Sequence, residues 1–421
     1  LCFAHTNDNL GPQNYDQVIE EYERTRAMFP GSHVQASSMD DYARQLLSIR
    51  DSLPVVTGEI GDTWIHGVGS DPGKVARFRA LCRLRDRWLA GDSAPEEKAL
   101  DPFSRHLLCV PEHTWGKDEK THLKDLTQYR PADLAQARKR PKFQAFEASW
   151  DEQRDYLTRA VAALGKTDYA TQAQTVMDAC VPVPPCLDGF KPVNEPHALI
   201  ETDHFQCMFD PDLGGLSHLV DKATGHVWAS PDHPLALIGY QLYSWDDYAR
   251  FLDQYVTDKD DMLAADTFCS WAFYDFSKPG IEKAGAVARR WPVRMTGLWR
   301  NEDAEGLTFV QMFEGNENAV SDLGCPSRFS LRLSLPRETP VIRFDLAWFD
   351  KQANRLPEAL WLSFRPPLPD GACLVLDKMG QSIAAGEVVS HGNRRLHAVQ
   401  DSVCLRGEDG TLCLRTPGAA L

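Results

Sequence analysis

The spacing of apolar and polar positions changes twice along the chain, and each change predicts a different kind of layer. At the start, short apolar runs alternate with helical patterns. Leu1 to His5 reads as a strand, and Tyr15, Val18, Ile19, Tyr22 and Met28 follow at near-helical spacing until Pro30-Gly31 stops the pattern. His33-Val34-Gln35-Ala36 reads as a second strand. Ser38 then suits the N-cap of a helix whose apolar stripe is Tyr42, Leu46, Leu47 and Ile49. A third strand, Pro54-Val55-Val56-Thr57, opens into a glycine-rich run from Gly58 to Gly69. Strand and helix alternating at this interval is the rhythm of an α/β layer or barrel, with only its last units present.

From Lys74 to Leu164 the pattern turns helical. Val75, Phe78, Leu81, Cys82, Arg85 and Leu89 fall near one face, and a second stripe runs through Phe143, Phe146, Trp150, Tyr156, Leu157 and Val161. This predicts three helices packed as a bundle, with a loop around Pro111 to Lys117 between two of them. A proline-rich stretch from Ala179 to Pro185 marks a linker. Beyond it lie short strand-like runs separated by turn residues, among them 205–209, 214–216, 307–310, 328–333 and 341–346. The expected fold class is α/β plus all-β. It comprises the end of a (β/α) barrel over residues 1–72, a three-helix bundle over 73–172 and a large β-sandwich or supersandwich over 173–421.

Composition narrows the function. The 421 residues carry a formal charge of -15, which argues against a nucleic-acid partner, because phosphate binding needs clustered Lys and Arg. No run reaches the ~18 apolar residues that a membrane helix requires, and the first residues lack the features of a signal peptide. Eleven cysteines without a CxxC pair favour reduced thiols and hence a cytoplasmic setting.

Candidate chemistry concentrates before residue 120. His5 to Gly11, including Asp8, follows the opening strand, where α/β folds place their sites, although Asn, Asp and Gly also build ordinary turns. Gly58 to Pro72 gathers Glu59, Asp62, Trp64 and His66 among glycines that let backbone approach a ligand, and Trp64 suits stacking on a sugar ring. A glycine-rich loop with solvent-facing acids would look similar. Pro111 to Asp118 contains His113 without HxH, HExxH or CxxC spacing, so no complete metal site can be read from the chain. In the β-rich part, Trp245 to Tyr248 and Lys278-Pro279-Gly280 suit either a cleft or a sandwich core.

In order and spacing, these segments resemble the family-38 glycoside hydrolases, the retaining α-mannosidases, as a divergent branch. The resemblance covers residues 1–125: Asn7-Asp8-Asn9-Leu10, His33 to Ser38, Pro54 to Glu59, Trp64, Ser70-Asp71-Pro72 with the helix from Lys74, and Glu112-His113 with Gly116. It implies that Asp8 is an active-site carboxylate suited to general acid/base work and that Trp64 is the platform under the sugar. His113 would complete a zinc site whose metal also holds sugar hydroxyls. Glu59 and His66 would contact substrate from the same loop. The nucleophile and the remaining zinc ligands belong to strands expected ahead of residue 1. Thr114 stands where the family has an Asp, and Asn7 replaces the first acid of its strand-end motif; both changes put mannose specificity in question.

The resulting expectation is a retaining, zinc-assisted glycosidase acting on α-linked sugars, catalytically incomplete in this stretch of chain. The alternative is a non-catalytic carbohydrate-binding or scaffold protein of the same descent. A metal-dependent ester or amide hydrolase would need His or acid ligands that the sequence does not show.

Overall fold

A computed structural model describes residues 11–61, 65–91, 94–112, 115–256, 259–260, 273–274, 276–368, 371–390, 392–408 and 410–420, leaving aside the side chains of His66 and Tyr255. The chain divides into two compact units, residues 1–57 and 58–421.

In the first unit, α1 (Tyr15–Met28) opens with a capping box between Asn14 and Gln17. The next helix, α2 (Met39–Ser48), is capped by the Ser38 hydroxyl, which accepts from Asp41 N at 3.1 Å as the sequence predicts. Neither helix buries a residue, and Leu47 and Val55 stay largely exposed. His33 to Ala36 and Pro54 to Thr57 differ from expectation: neither joins a sheet. A β-prone run becomes a strand only beside a ladder partner, and none of the described residues provides one there.

The second unit starts with helices: α3 (Pro72–Ala90), α4 (Glu97–Cys109), the short α5 (Glu119–His122) and α6 (Pro131–Ala137), α7 (Pro141–Ala163) and α8 (Asp168–Asp178). Contacts of α3 with α7 and α8, and of α4 with α7, enclose a core of Leu81, Leu84, Trp88, Phe103, Leu107 and Leu157. Trp88 Nε1 donates to Gln172 Oε1 at 2.9 Å, so its one polar atom is satisfied on the α8 side of that core.

Antiparallel sheets follow. In chain order come β1 (Lys191–Pro192), β2 (Ile200–Glu201), β3 (Phe205–Phe209), β4 (Leu216–Asp221), β5 (Val227–Ala229), β6 (Leu235–Leu242), the helix α9 (Trp245–Tyr255), β7 (Arg289–Pro292), β8 (Arg294–Glu302) and β9 (Gly306–Glu314). The helix α10 (Glu317–Leu323) precedes β10 (Arg328–Pro336), β11 (Arg343–Phe349), β12 (Glu358–Phe364), β13 (Cys373–Lys378), β14 (Gln381–Ala384), β15 (Ser402–Gly407) and β16 (Gly410–Arg415). One sheet runs β1-β8-β9-β10-β11, and a second β12-β6-β4-β3-β2 with β5 on β4 and β7 on β6. Their inner faces share one apolar core, where Phe209 of β3 meets Phe309 of β9 edge-to-face at 4.9 Å. Trp245 and Tyr248 pack against this core, so that aromatic cluster serves the core rather than a cleft.

Arg355 ties the segment after α4 to the sheets. Its side chain is 10% exposed and pairs with Asp125 at 3.1 Å and with Glu119, and it donates to Asp125 O at 2.7 Å. Its guanidinium also lies over the rings of Tyr129 and Phe143. Tyr129 Oη in turn donates to Pro279 O at 2.6 Å, and Gly280 lies so close to Leu126 O that a Cβ would sit 2.2 Å from it.

The last sheet, β14-β13-β15-β16, closes back on the beginning of the unit. The Arg79 guanidinium on α3 donates to four carbonyls, those of Val399, Gln400, Thr416 and Pro417, at 2.6–3.2 Å. Arg83 adds a bond to Pro417 O at 2.6 Å. The β15–β16 register sets Cys404 directly opposite Cys413, and the two form a disulfide. The expectation of uniformly reduced cysteines therefore does not hold here, because strand pairing places two thiols within bonding reach. No helix among the described residues is long and apolar enough to cross a membrane.

Candidate functional site

The loop from Gly58 to Asp71 is fixed at its start by the C-terminal segment. Glu59 N donates to Glu387 O at 3.0 Å, and Val389 N donates to Glu59 O at 2.8 Å, a parallel bridge outside the named strands. Two glycines permit this approach. A Cβ on Gly58 would lie 2.7 Å from Glu387 O, and Gly61, at φ +92°, would bring one within 2.9 Å of Asn393 N. The Glu59 carboxylate is held inside the loop. It accepts from Gly61 N at 3.3 Å and lies 3.5 Å from the Lys378 ammonium, whose side chain is 9% exposed.

The other end of the loop runs through a 3-10 turn, His66–Ser70, into α3. Asp71 caps that helix by accepting from Lys74 N at 3.1 Å, and Pro72 occupies the first turn, where its missing N–H costs nothing. The second Asp71 oxygen accepts from Arg154 Nε at 2.6 Å, and Arg154 also reaches Asp151. These contacts dock the start of α3 on α7.

Against this corner sits the turn at residues 115–117. Trp115 has φ +57°, a left-handed conformation that costs a non-glycine residue roughly 1–2 kcal/mol. Two neighbours hold its ring. Gly67 lies against the indole so closely that a Cβ would fall 2.0 Å from Trp115 Nε1. The Lys74 ammonium lies 4.5 Å from the ring centroid, in cation–π range. Behind it, Gly116 (φ +119°) leaves room for the Ser149 hydroxyl, which accepts from Lys117 N at 3.0 Å and donates to Phe146 O at 2.6 Å. Lys74 is 3% exposed. Burial lowers its pKa, with repulsion from Arg154 acting in the same direction, and the attraction of Asp71 and Glu112 only partly opposes this.

Of the residues singled out in the sequence, Glu59 is described fully and His66 only in its backbone; Asp8, Trp64 and His113 lie outside the described residues, as does Thr114. The contact of Gly67 with Trp115 nevertheless brings the 3-10 turn before α3 against residues 115–117. Sequence reasoning assigned no role to Trp115 or Lys74. The available signal was a Trp-Gly pair beside a histidine and a lysine one turn into a capped helix, and neither is distinctive without the contact between them. Among the described residues, no group of three His, Cys, Asp or Glu side chains could hold a metal ion. Those residues therefore do not by themselves form the zinc site that the family resemblance implies.

A sequence-family profile described as a domain of unknown function (DUF5054) matches residues 68–343, a span from the 3-10 turn before α3 to the start of β11. No curated protein matches the chain.

Proposed function

For this chain, which belongs to the DUF5054 family, we propose a carbohydrate-processing role: a retaining glycosidase for α-linked sugars, similar to the family-38 α-mannosidases. The observation that carries the reading is the seating of Trp115 on Gly67. It joins, at one corner of the fold, the two separate stretches of sequence that resemble catalytic segments of that family. In this reading residues 1–72 are the end of the (β/α) barrel, residues 73–172 its helical bundle and residues 173–421 its supersandwich.

Retention of configuration requires two carboxylates roughly 5–5.5 Å apart, and Asp8 is the candidate for the acid/base. His113 is the proposed zinc ligand from this stretch. A bound zinc would hold sugar hydroxyls and favour a distorted ring. Trp64, Glu59 and His66 belong to the loop that would contact the sugar.

The test is turnover of a panel of aryl α-glycosides by the full-length protein, together with its zinc content before and after His113→Ala. The expected result is hydrolysis that Asp8→Asn abolishes, and loss of zinc from the His113 variant. Full zinc occupancy in that variant would remove the ligand assignment. Absence of turnover by zinc-loaded protein would favour the second reading, a non-catalytic carbohydrate-binding protein of the same descent. The Glu59 carboxylate is engaged by Lys378 and Gly61 N, which argues against its direct contact with a ligand in either reading.

A further inference from the structure

We propose that Trp115 is a sugar-stacking residue of this site and that Lys74 is the positioning residue that presents its ring. The inference rests on the carbohydrate reading above and adds to it a contact that the sequence did not assign.

Trp115 combines a costly backbone conformation with little core burial. A left-handed non-glycine residue persists where its surroundings over-determine it, and such positions gather at ligand clamps. A tryptophan that served packing alone would offset that cost by joining an apolar cluster. Among the described residues, Trp115 belongs to none of the three hydrophobic cores of the molecule. Among the described residues its partners are a glycine backbone and a lysine ammonium, and the residue is neither fully buried nor exposed. Those partners fix the orientation of the ring.

The chemistry around the ring suits a sugar. The negative π-face of an indole attracts the polarised C–H groups on one side of a pyranose. Asp71, Glu112 and Arg154 are the charged groups that act on Lys74, so the support of the ring is polar. Lys74 lies under the ring with its side chain almost wholly buried, so its ammonium acts on the indole as a fixed support.

The test measures binding of methyl α-D-mannopyranoside and a manno-disaccharide to the full chain, by calorimetry and by tryptophan fluorescence. Trp115→Ala is expected to weaken binding about tenfold. Gly67→Ala should do the same although Trp115 is still present, because the added Cβ would fall 2.0 Å from the indole nitrogen and displace the ring. Gly418→Ala, with open space around the residue, is the control and should bind as wild type does. Lys74→Arg should preserve affinity within about twofold, since a guanidinium also binds an aromatic face, whereas Lys74→Met should lose about fivefold. Folding of each variant is checked by circular dichroism.

Wild-type affinity in folded Gly67→Ala and Trp115→Ala variants would overturn the inference, and loss of binding in Trp64→Ala alongside it would leave the carbohydrate reading intact. If the wild-type chain binds neither saccharide, the inference falls, and the aryl α-glycoside panel decides the carbohydrate reading on its own. Loss in Lys74→Met without recovery in Lys74→Arg would remove the positioning role.

Discussion

Replacing Arg355 by Met tests whether one side chain holds the segment after the site loop to the sheets. Arg355 and Asp125 are 10% and 15% exposed, and their ion pair is 3.1 Å long. Removing the cation leaves Asp125 partly buried with its charge uncompensated, a change that typically costs about 3–5 kcal/mol. The lost cation–π contacts with Tyr129 and Phe143 fall within that range, and the half-exposed Glu119 adds little. Urea unfolding followed by tryptophan fluorescence measures the loss. The paired variant Asp125→Asn with Arg355→Met removes both charges, so it should cost less than the sum of the single changes, with a coupling of about 2 kcal/mol. A loss below about 1 kcal/mol for Arg355→Met, or strict additivity with Asp125→Asn, would refute the clamp.

Three further outcomes follow from the same geometry. Burial acts to raise the Asp125 pKa, but hydrogen bonds from Gln128 N and Thr127 N and the pairing with Arg355 outweigh it, so the folded-state value is lowered. Its stabilisation is therefore complete above the unfolded value of about 3.9 and is lost as pH falls through the folded one; Asp125→Asn should flatten the acid limb of a stability–pH profile. Arg79→Met should free the last sheet from α3. Its four partly exposed bonds are worth about 2 kcal/mol together, so hydrogen exchange over residues 395–417 should accelerate roughly 30-fold while α8 is unchanged. Iodoacetamide at pH 8 should label the exposed Cys109, Cys186 and Cys373. It should spare the buried Cys207 and Cys325, whose thiols are each pushed up to about 12, and a non-reducing peptide map should join Cys404 to Cys413.

Elements whose partners are local were legible in the sequence. Residues 205–209 alternate cleanly between buried and half-buried and form β3 as predicted. Ser38 caps α2 because a cap involves only the next turn. The buried stripe of α3 is Val75, Leu81, Leu84 and Trp88, whereas the sequence pattern ended it on Leu89, which is half exposed. A helix that contacts neighbours on two sides buries a wider arc than one stripe suggests. The apolar pattern does not delimit α4, which has Pro102 within it. Long-range partners left no local mark. Nothing near Glu59 announces Lys378 or Val388, and nothing near Lys74 announces Trp115. The glycines at 58, 61 and 67 suggest in the sequence a backbone open to a ligand, yet each is required where another part of the chain comes within a Cβ's reach. Pro54 to Thr57 shows the reverse error, since β-propensity without a neighbouring strand does not make a sheet.

The bridge between Glu59 and the C-terminal segment also sets an order of events during synthesis. Glu59 and its partner Lys378 are 319 residues apart. At roughly 5–20 residues per second, a ribosome needs about 15–60 s to make that interval, during which the glycine-rich loop has no strand to dock on. Helices α3 to α8 are made early and can associate in that time. The loop is fixed only once the final sheet emerges, and Arg79 waits equally long for its four carbonyls. The start of the site loop is thus fixed later than the helices that follow it in the sequence.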